Sequence, residues 1–312
     1  RYDQQQRSRQ QQAGELALNM FYSIKNLELQ ISNLEERLAG TAREGQYLAD
    51  LSQRRRELAA LRTEYDRFVE TLDLGPKPEN DRQKLMLNIA RVFGECQLNM
   101  PADFMQEVER YIALWQGSSR LERAMARLRD QGFAPLILEE LTARQLPPQF
   151  IYLALQESNF NPRIVGPPTR YGHAKGMWQF IPATGARYGL TLGPLQDEPV
   201  YDPQDERHDP VKSTRAAAHY LKDIYRTDAQ ASGLLVMASY NWGEGNIIRL
   251  IRRMPENPRE RNFWELLREH RIPEETYNYV FYIFSAAVIG ENPQLFGFDF
   301  PSPLAGIDRS SL

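Results

Sequence analysis

Apolar residues that alternate steps of three and four constrain the first quarter of this chain more than any other feature. Ile24, Leu27, Ile31, Leu34 and Leu38 keep that rhythm, and Leu58, Leu61, Tyr65, Phe68 and Leu72 repeat it, with Leu51 one heptad earlier. A helix turning about 100° per residue places each set on one stripe, an a/d seam in two pieces. The pieces meet at Gly40-Thr-Ala-Arg-Glu-Gly45, where two glycines and a register slip predict a turn. An antiparallel helical hairpin is therefore favoured over one continuous dimeric coiled coil. Each piece is too short to be stable alone and needs a surface to pack on. Residues 16–72 then serve either as a spacer or docking arm, through a protein partner or self-association, or as a helical pair packed on the remaining chain. The preceding residues 1–14 are polar and Gln-rich and read as a disordered or linking lead.

Leu74-Gly75-Pro76-Lys77-Pro78 closes that region. Amphipathic segments follow at 81–98, 102–116, 119–131 and 134–145, with Ser119 and Glu122 spaced as a capping box for the third. Asp209-Pro210 opens a helix that buries Ala217, Tyr220, Leu221 and Ile224, and Ser232 caps another running to Tyr240. Residues 258–270 form a charged helical segment with Phe263 and Trp264. A last helix from Pro273 to Gly290 is apolar all round from Tyr279 onward, which predicts passage through the core. No period-2 runs stand out, so the fold class is all-α, with at most a short hairpin in a loop. The organisation reads as a lead and arm (1–75), a helical subdomain (76–145), a main helical domain (146–304) and a tail (305–312).

With 42% hydrophobic residues among 312, the chain can bury a sizeable core, and a mean hydropathy of −0.57 suits a soluble molecule. A net charge of −3 provides no basic field for nucleic acid. Cys96, the single cysteine, permits no intrachain disulfide and no thiol metal cluster, and its helical surroundings predict a buried thiol. The most apolar run, Tyr279 to Ile289, falls short of the roughly 20 residues that span a bilayer. The chain opens at Arg1 without a Met, so any targeting segment or membrane anchor is expected upstream of it.

One carboxylate stands out. Pro147-Pro148 suits a helix's first turn and Asn161-Pro162 its end. Between them Phe150, Leu153, Ala154 and Glu157 share one face, so an acid occupies the apolar side of the last turn. Burial and the negative end of the helix dipole both disfavour its ionised form, which suits a proton donor near neutral pH. A two-carboxylate glycosidase needs a partner, for which only Asp197, Asp202, Asp205, Asp209 and Glu244 offer themselves. Acids in loops are more often solvated or capping residues. His173, His208, His219 and His270 show no metal-ligand spacing.

Gly-Met-Trp-Gln-Phe-Ile-Pro-Ala-Thr-Gly at 176–185 and Met-Ala-Ser-Tyr-Asn-Trp-Gly-Glu-Gly-Asn at 237–246 join Glu157-Ser158 and Tyr279-Val280 in order. Together they resemble the catalytic domain of the lytic murein transglycosylases, in the lysozyme-like group, and are most similar to the membrane-bound lytic transglycosylase D type. The resemblance runs from about Asp103 to Leu304. It implies a lysozyme-like helical domain acting on peptidoglycan glycan strands in the bacterial periplasm or cell envelope, with no metal and no cofactor. It implies that Glu157 alone protonates the bond between N-acetylmuramic acid and N-acetylglucosamine, then takes the C6 hydroxyl proton, assisted by the substrate's acetamido group. The product is a 1,6-anhydro end.

By position, the resemblance assigns substrate contacts to Met177, Gln179, Tyr240 and Asn241, gives the Ser158 hydroxyl either a bond near the substrate or the cap of the helix end, and makes Tyr279 the tyrosine whose hydroxyl points at the acid. Gly243-Glu244-Gly245 reads as turn chemistry, and Trp178 and Met177 serve equally well as core. The loop Pro167-Pro168-Thr169-Arg170-Tyr171-Gly172-His173 is longer than the family pattern and lacks its usual Ser, which leaves one subsite undefined. A hydrolytic muramidase on the same fold, and a catalytically silent peptidoglycan-binding scaffold, are the competing functions.

Overall fold

Two long antiparallel helices open the chain. The computed structural model describes residues 2–38, 44–72, 74, 77–96, 98, 100–255 and 261–307. Within it α1 (Tyr2–Leu38) and α2 (Glu44–Thr71) run in opposite directions. Phe21 lies 5.9 Å from Tyr65, Arg62 reaches Glu28 at 2.9 Å, and Arg55 reaches Glu35 at 2.9 Å. The turn predicted at 40–45 and the linker after Leu72 lie mostly outside the described residues. α1 already begins at Tyr2, so the Gln-rich lead is helical rather than disordered. Gln and Arg are good helix formers, Gly14 is the only breaker, and the side chains of residues 8–12 are exposed.

Ile24, Ile31 and Leu51 of the seam are buried, Leu27, Leu34, Leu58 and Leu61 are half-buried, and Leu72 is exposed. The pair also lies against the rest of the molecule. Glu35 pairs with Lys222 at 3.4 Å and Asp66 with Arg91 at 3.6 Å. Of the two readings of the arm, this arrangement matches the packed helical pair.

Four helices follow: α3 (Asp81–Val92), α4 (Phe104–Gln116), α5 (Arg120–Asp130) and α6 (Phe133–Thr142). Ser119 sits at the N-cap of α5 without capping it. Its hydroxyl instead accepts from Arg123 at 2.6 Å. After α7 (Ile151–Ser158) an antiparallel hairpin of β1 (Val165–Thr169) and β2 (Gly172–Lys175) pairs Val165 with Lys175 and Thr169 with Gly172. Pro167 and Pro168 lack the N–H of a ladder donor, which confines the hairpin to two edge strands with an irregular register.

Then come α8 (Pro182–Arg187), α9 (Pro210–Tyr225), α10 (Gly233–Trp242), α11 (Glu244–Ile251), α12 (Phe263–Glu269) and α13 (Glu274–Glu291). Asp209 caps α9 by accepting from Val211 and Lys212, and Ser232 caps α10 by accepting from Leu235. Gly243 turns the chain at φ +91°, and the residues read as turn chemistry continue into α11. The fold is all-α, and no helix among the described residues is long and apolar enough to cross a membrane. Cys96 is buried.

α13 is the axis of the core. Phe281 and Phe284 meet Phe104 at 5.5 and 5.2 Å, and Phe284 meets Phe93 at 6.2 Å. Gly290 lets α7 cross close by, since a Cβ there would lie 1.6 Å from the Tyr152 hydroxyl. That crossing sets where the other end of α7, with Glu157, falls along α13.

Candidate active site

Glu157 occupies the last turn of α7, half-buried at the edge of a fully apolar segment from Ile151 to Leu155. The helix stops sooner than Asn161-Pro162 suggests. Asn159 adopts φ +52° as a left-handed C-cap and Phe160 follows at φ +58°. Asn tolerates that conformation, whereas a buried Phe in it is strained and must be held. The hold comes from α5: Arg120 donates to Asn159 Oδ1 at 2.7 Å and Arg127 to the Asn159 carbonyl at 2.7 Å. These two arginines position the acid, yet nothing in their local pattern marks them. Their signal is tertiary. The earlier stop has a local signal that the sequence reading passed over, since Asn is a common left-handed C-cap.

Tyr279, buried on α13, donates to Glu157 Oε1 at 2.6 Å. Burial raises the Glu157 carboxyl to about 8, the Tyr279 hydrogen bond pulls it down, and the negative charge of Glu275 pushes it up. Desolvation wins, so Glu157 is a neutral acid at pH 7. Glu275 lies one turn before Tyr279 on α13 and is exposed. It was not singled out in the sequence, although an i, i+4 spacing from Tyr279 puts both on one helix face.

The turn at 176–180 forms a second wall. Gly176 has φ +84°, and a Cβ there would lie 1.6 Å from the Arg207 carbonyl oxygen. Ser158 donates to the Met177 carbonyl at 2.8 Å and accepts from the Asn161 N–H at 3.2 Å. Its hydroxyl is thus buried and engaged with backbone, which ties the helix end to this turn. Met177 and Trp178 are wholly buried, and Trp178 Nε1 donates to Thr214 at 3.0 Å. The turn points both side chains into the core, the second of the two readings their sequence allowed. Gln179, at φ +50°, is half-buried and donates to the Gly176 carbonyl at 2.8 Å.

The end of α10 is the third wall. Tyr240 donates to the Trp178 carbonyl at 2.9 Å, which joins this wall to the second. Its hydroxyl is raised well above the usual tyrosine value by burial and then by the Glu157 charge. Asn241 accepts from Thr276 of α13 at 2.8 Å. Glu157, Tyr240 and Tyr279 are therefore brought together, Gln179 and Asn241 are tied to the same walls, and Ser158 and Met177 lie behind them.

Of the five acids considered as a second carboxylate, Asp197 is exposed and the other four have tasks of their own. Asp202 accepts from the Leu195 and Gln204 N–H groups, Asp205 pairs with the buried Arg207 at 2.6 Å, and Asp209 caps α9. Glu244 accepts from Tyr220 at 2.8 Å and Arg187 at 3.2 Å. His173 is buried, with Nδ1 against the Gly166 carbonyl at 2.9 Å. Among the described residues no three His, Cys, Asp or Glu side chains gather as metal ligands would. What remains is one neutral carboxylic acid with a hydroxyl donor behind it, an arrangement suited to acid–base work on an ether-like oxygen.

Residues 135–263 match the family model described as the transglycosylase SLT domain. Over 175 residues the chain is 30% identical to the membrane-bound lytic murein transglycosylase D of Escherichia coli (strain K12), covering 56% of this chain and 35% of the relative. Over 127 residues it is 28% identical to a putative tributyltin chloride resistance protein of Alteromonas sp. (strain M-1), covering 41% of this chain and 55% of that one. The chain thus spans about a third of the length of the first relative and about half of the second.

Proposed function

From the premise that this chain, through residues 135–263, belongs to the lytic transglycosylases of the lysozyme-like superfamily, we propose that it cleaves peptidoglycan without water. The bond is the β-1,4 link between N-acetylmuramic acid and N-acetylglucosamine. The observation that carries this reading is the carboxyl group of Glu157, its pKa raised to about 8 with Tyr279 at 2.6 Å, while Asp202, Asp205, Asp209 and Glu244 are engaged elsewhere and Asp197 is exposed.

Protonated Glu157 delivers its proton to the glycosidic oxygen as the C1–O bond breaks, and the departing sugar leaves with a hydroxyl. The neighbouring acetamido oxygen of the muramic sugar holds the electron-poor C1, which takes the role of the second carboxylate. Glu157, now ionised, accepts the proton of the C6 hydroxyl as that oxygen closes on C1. The 1,6-anhydro sugar forms, the acetamido group is released, and the enzyme regains its proton. The hydroxyl of Tyr279 steadies the carboxylate between the two steps. The second relative's tributyltin label points to no group in this site. A place in the bacterial envelope follows from the substrate, and the name of the first relative, a membrane-bound protein, fits it.

Mass spectrometry of fragments released from purified peptidoglycan tests the proposal. Ends carrying 1,6-anhydro-muramic acid are expected with the native protein and not with Glu157→Gln. Reducing ends, heavier by one water, would instead establish a muramidase. Binding without release by the native protein would establish a scaffold.

A further inference from the structure

Arg163 and Tyr201 form an exposed pair. The Arg163 guanidinium lies over the Tyr201 ring at 4.5 Å, and the ring is 39% exposed. No carboxylate among the described residues pairs with Arg163, although its ring partner Tyr201 belongs to an acidic loop. Three acids of that loop are taken up by other groups, Asp202 by backbone N–H groups, Asp205 by Arg207, and Glu206 by Lys212 and the Thr191 N–H, while Asp197 and Glu198 are exposed. An exposed arginine stacked on a ring and left without a counter-ion is a seat for a planar anion.

Both members of the pair are mounted rigidly. The Arg163 N–H donates to Asn161 Oδ1 at 3.0 Å, and His208 Nδ1 meets the Pro162 carbonyl at 2.7 Å. The Ile164 carbonyl accepts from Gly176 at 2.9 Å. On the other side, buried Lys175 donates to the Val200 carbonyl at 3.1 Å, and Asp202 fixes the residues after Tyr201. The His208 ring meets Tyr201 edge-on at 4.8 Å, and its buried Nε2 has no hydrogen-bond partner. Ordering costs are therefore met before any ligand arrives.

Arg163 follows Glu157 by six residues, a separation of at most about 20 Å even for extended chain. The turns from Ser158 to Asn161 and from Asn161 to Ile164 shorten it. A peptide stem hanging from the muramic sugar bound at Glu157 spans that gap within a few residues, and such stems carry carboxylates. We propose that Arg163, stacked on Tyr201, binds a carboxylate of the peptide stem and makes the enzyme prefer stem-bearing glycan. This rests on the peptidoglycan reading above.

The test compares strands with intact stems against strands whose stems have been removed enzymatically. Cleavage is measured as kcat/KM for the native protein, Arg163→Gln and, as a charge control on α5, Arg129→Gln. Binding of both strand types is measured with Glu157→Gln alone and combined with Arg163→Gln. Arg163→Gln is expected to lower kcat/KM on stem-bearing strands about tenfold. It is expected to leave stem-free strands unchanged, and Arg129→Gln to change neither. Equal loss on both strand types, no loss on either, or an equal loss from Arg129→Gln would overturn the stem seat. Cleavage intact with no stem preference in binding rejects the seat alone. A stem preference that disappears with Arg163→Gln, in a protein that cleaves neither strand, supports the seat and rejects the transglycosylase reading.

Discussion

The Tyr279 hydroxyl donates to Glu157 across 2.6 Å, from a helix whose side chains are buried on nearly every side. A donor held by the core cannot retreat when the carboxyl loses its proton, so it stabilises the ionised state at no reorganisation cost. Tyr279→Phe removes that donor and little else. It should raise the Glu157 pKa further, since burial then acts unopposed, and reduce kcat about tenfold. A pH–rate profile checks both: the alkaline limb should move to higher pH while the plateau falls.

The acid role makes its own pH prediction. Glu157 must begin protonated, and its carboxyl is raised to about 8. Activity on peptidoglycan should therefore hold through neutral pH and fall as pH rises through about 8. Initial rates between pH 5 and 10 in constant ionic strength would show it, and a limb near pH 5 would sink the assignment.

The same shift bears on stability. A carboxyl whose folded pKa is raised contributes fully below its unfolded value of 4.5, and that contribution is lost as pH climbs through about 8. Gln cannot ionise. Glu157→Gln should thus match the native protein near pH 4 and be more stable above pH 8, by on the order of 2 kcal/mol. Thermal melts at the two pH values measure the difference.

Much of this arrangement was legible in the sequence, and for local reasons. Caps at Asp209 and Ser232 satisfy groups two or three residues away, so a short window reveals them. Glu157 stood out because helical periodicity placed an acid on an apolar face. For Ser158 and Met177 the sequence left two readings open, because whether a residue faces a cleft or the core depends on where the turn at 176–180 points, which no spacing encodes. The helical lead shows the same limit, since propensity without an apolar face reads as disorder. Arg120, Arg127 and Arg207 act across tens of residues. Only the assembled fold shows what they hold.

The crossing of α7 and α13 depends on a missing side chain. A Cβ at Gly290 would sit 1.6 Å from the Tyr152 hydroxyl, so Gly290→Ala must push the helices apart. A destabilisation of about 1–3 kcal/mol is expected in urea unfolding. Because the same crossing sets Glu157 against Tyr279, activity per folded molecule should fall as well. Tyr152→Phe in the same chain removes the clashing oxygen and should recover part of both.

Two buried cations hold the loop from 191 to 209: Lys175, which donates to the Leu195 carbonyl at 2.6 Å and the Val200 carbonyl at 3.1 Å, and Arg207. Arg207 has no exposed surface, pairs with Asp205 at 2.6 Å, and donates to the carbonyls of His173 at 2.8 Å, Phe180 at 3.1 Å and Gln196 at 3.3 Å. It thereby joins the hairpin, the 176–180 turn and the acidic loop at a single guanidinium. Its partner's carboxyl is held below the ordinary aspartate value, where the Arg207 contacts outweigh burial. Arg207→Gln leaves the Asp205 charge buried and unpaired and strips donors from three carbonyls. Such a change costs about 3–5 kcal/mol. Limited proteolysis should then cut within 191–205 well before the helical core is attacked. If the variant resists protease as the native protein does, Lys175 alone suffices to hold the loop.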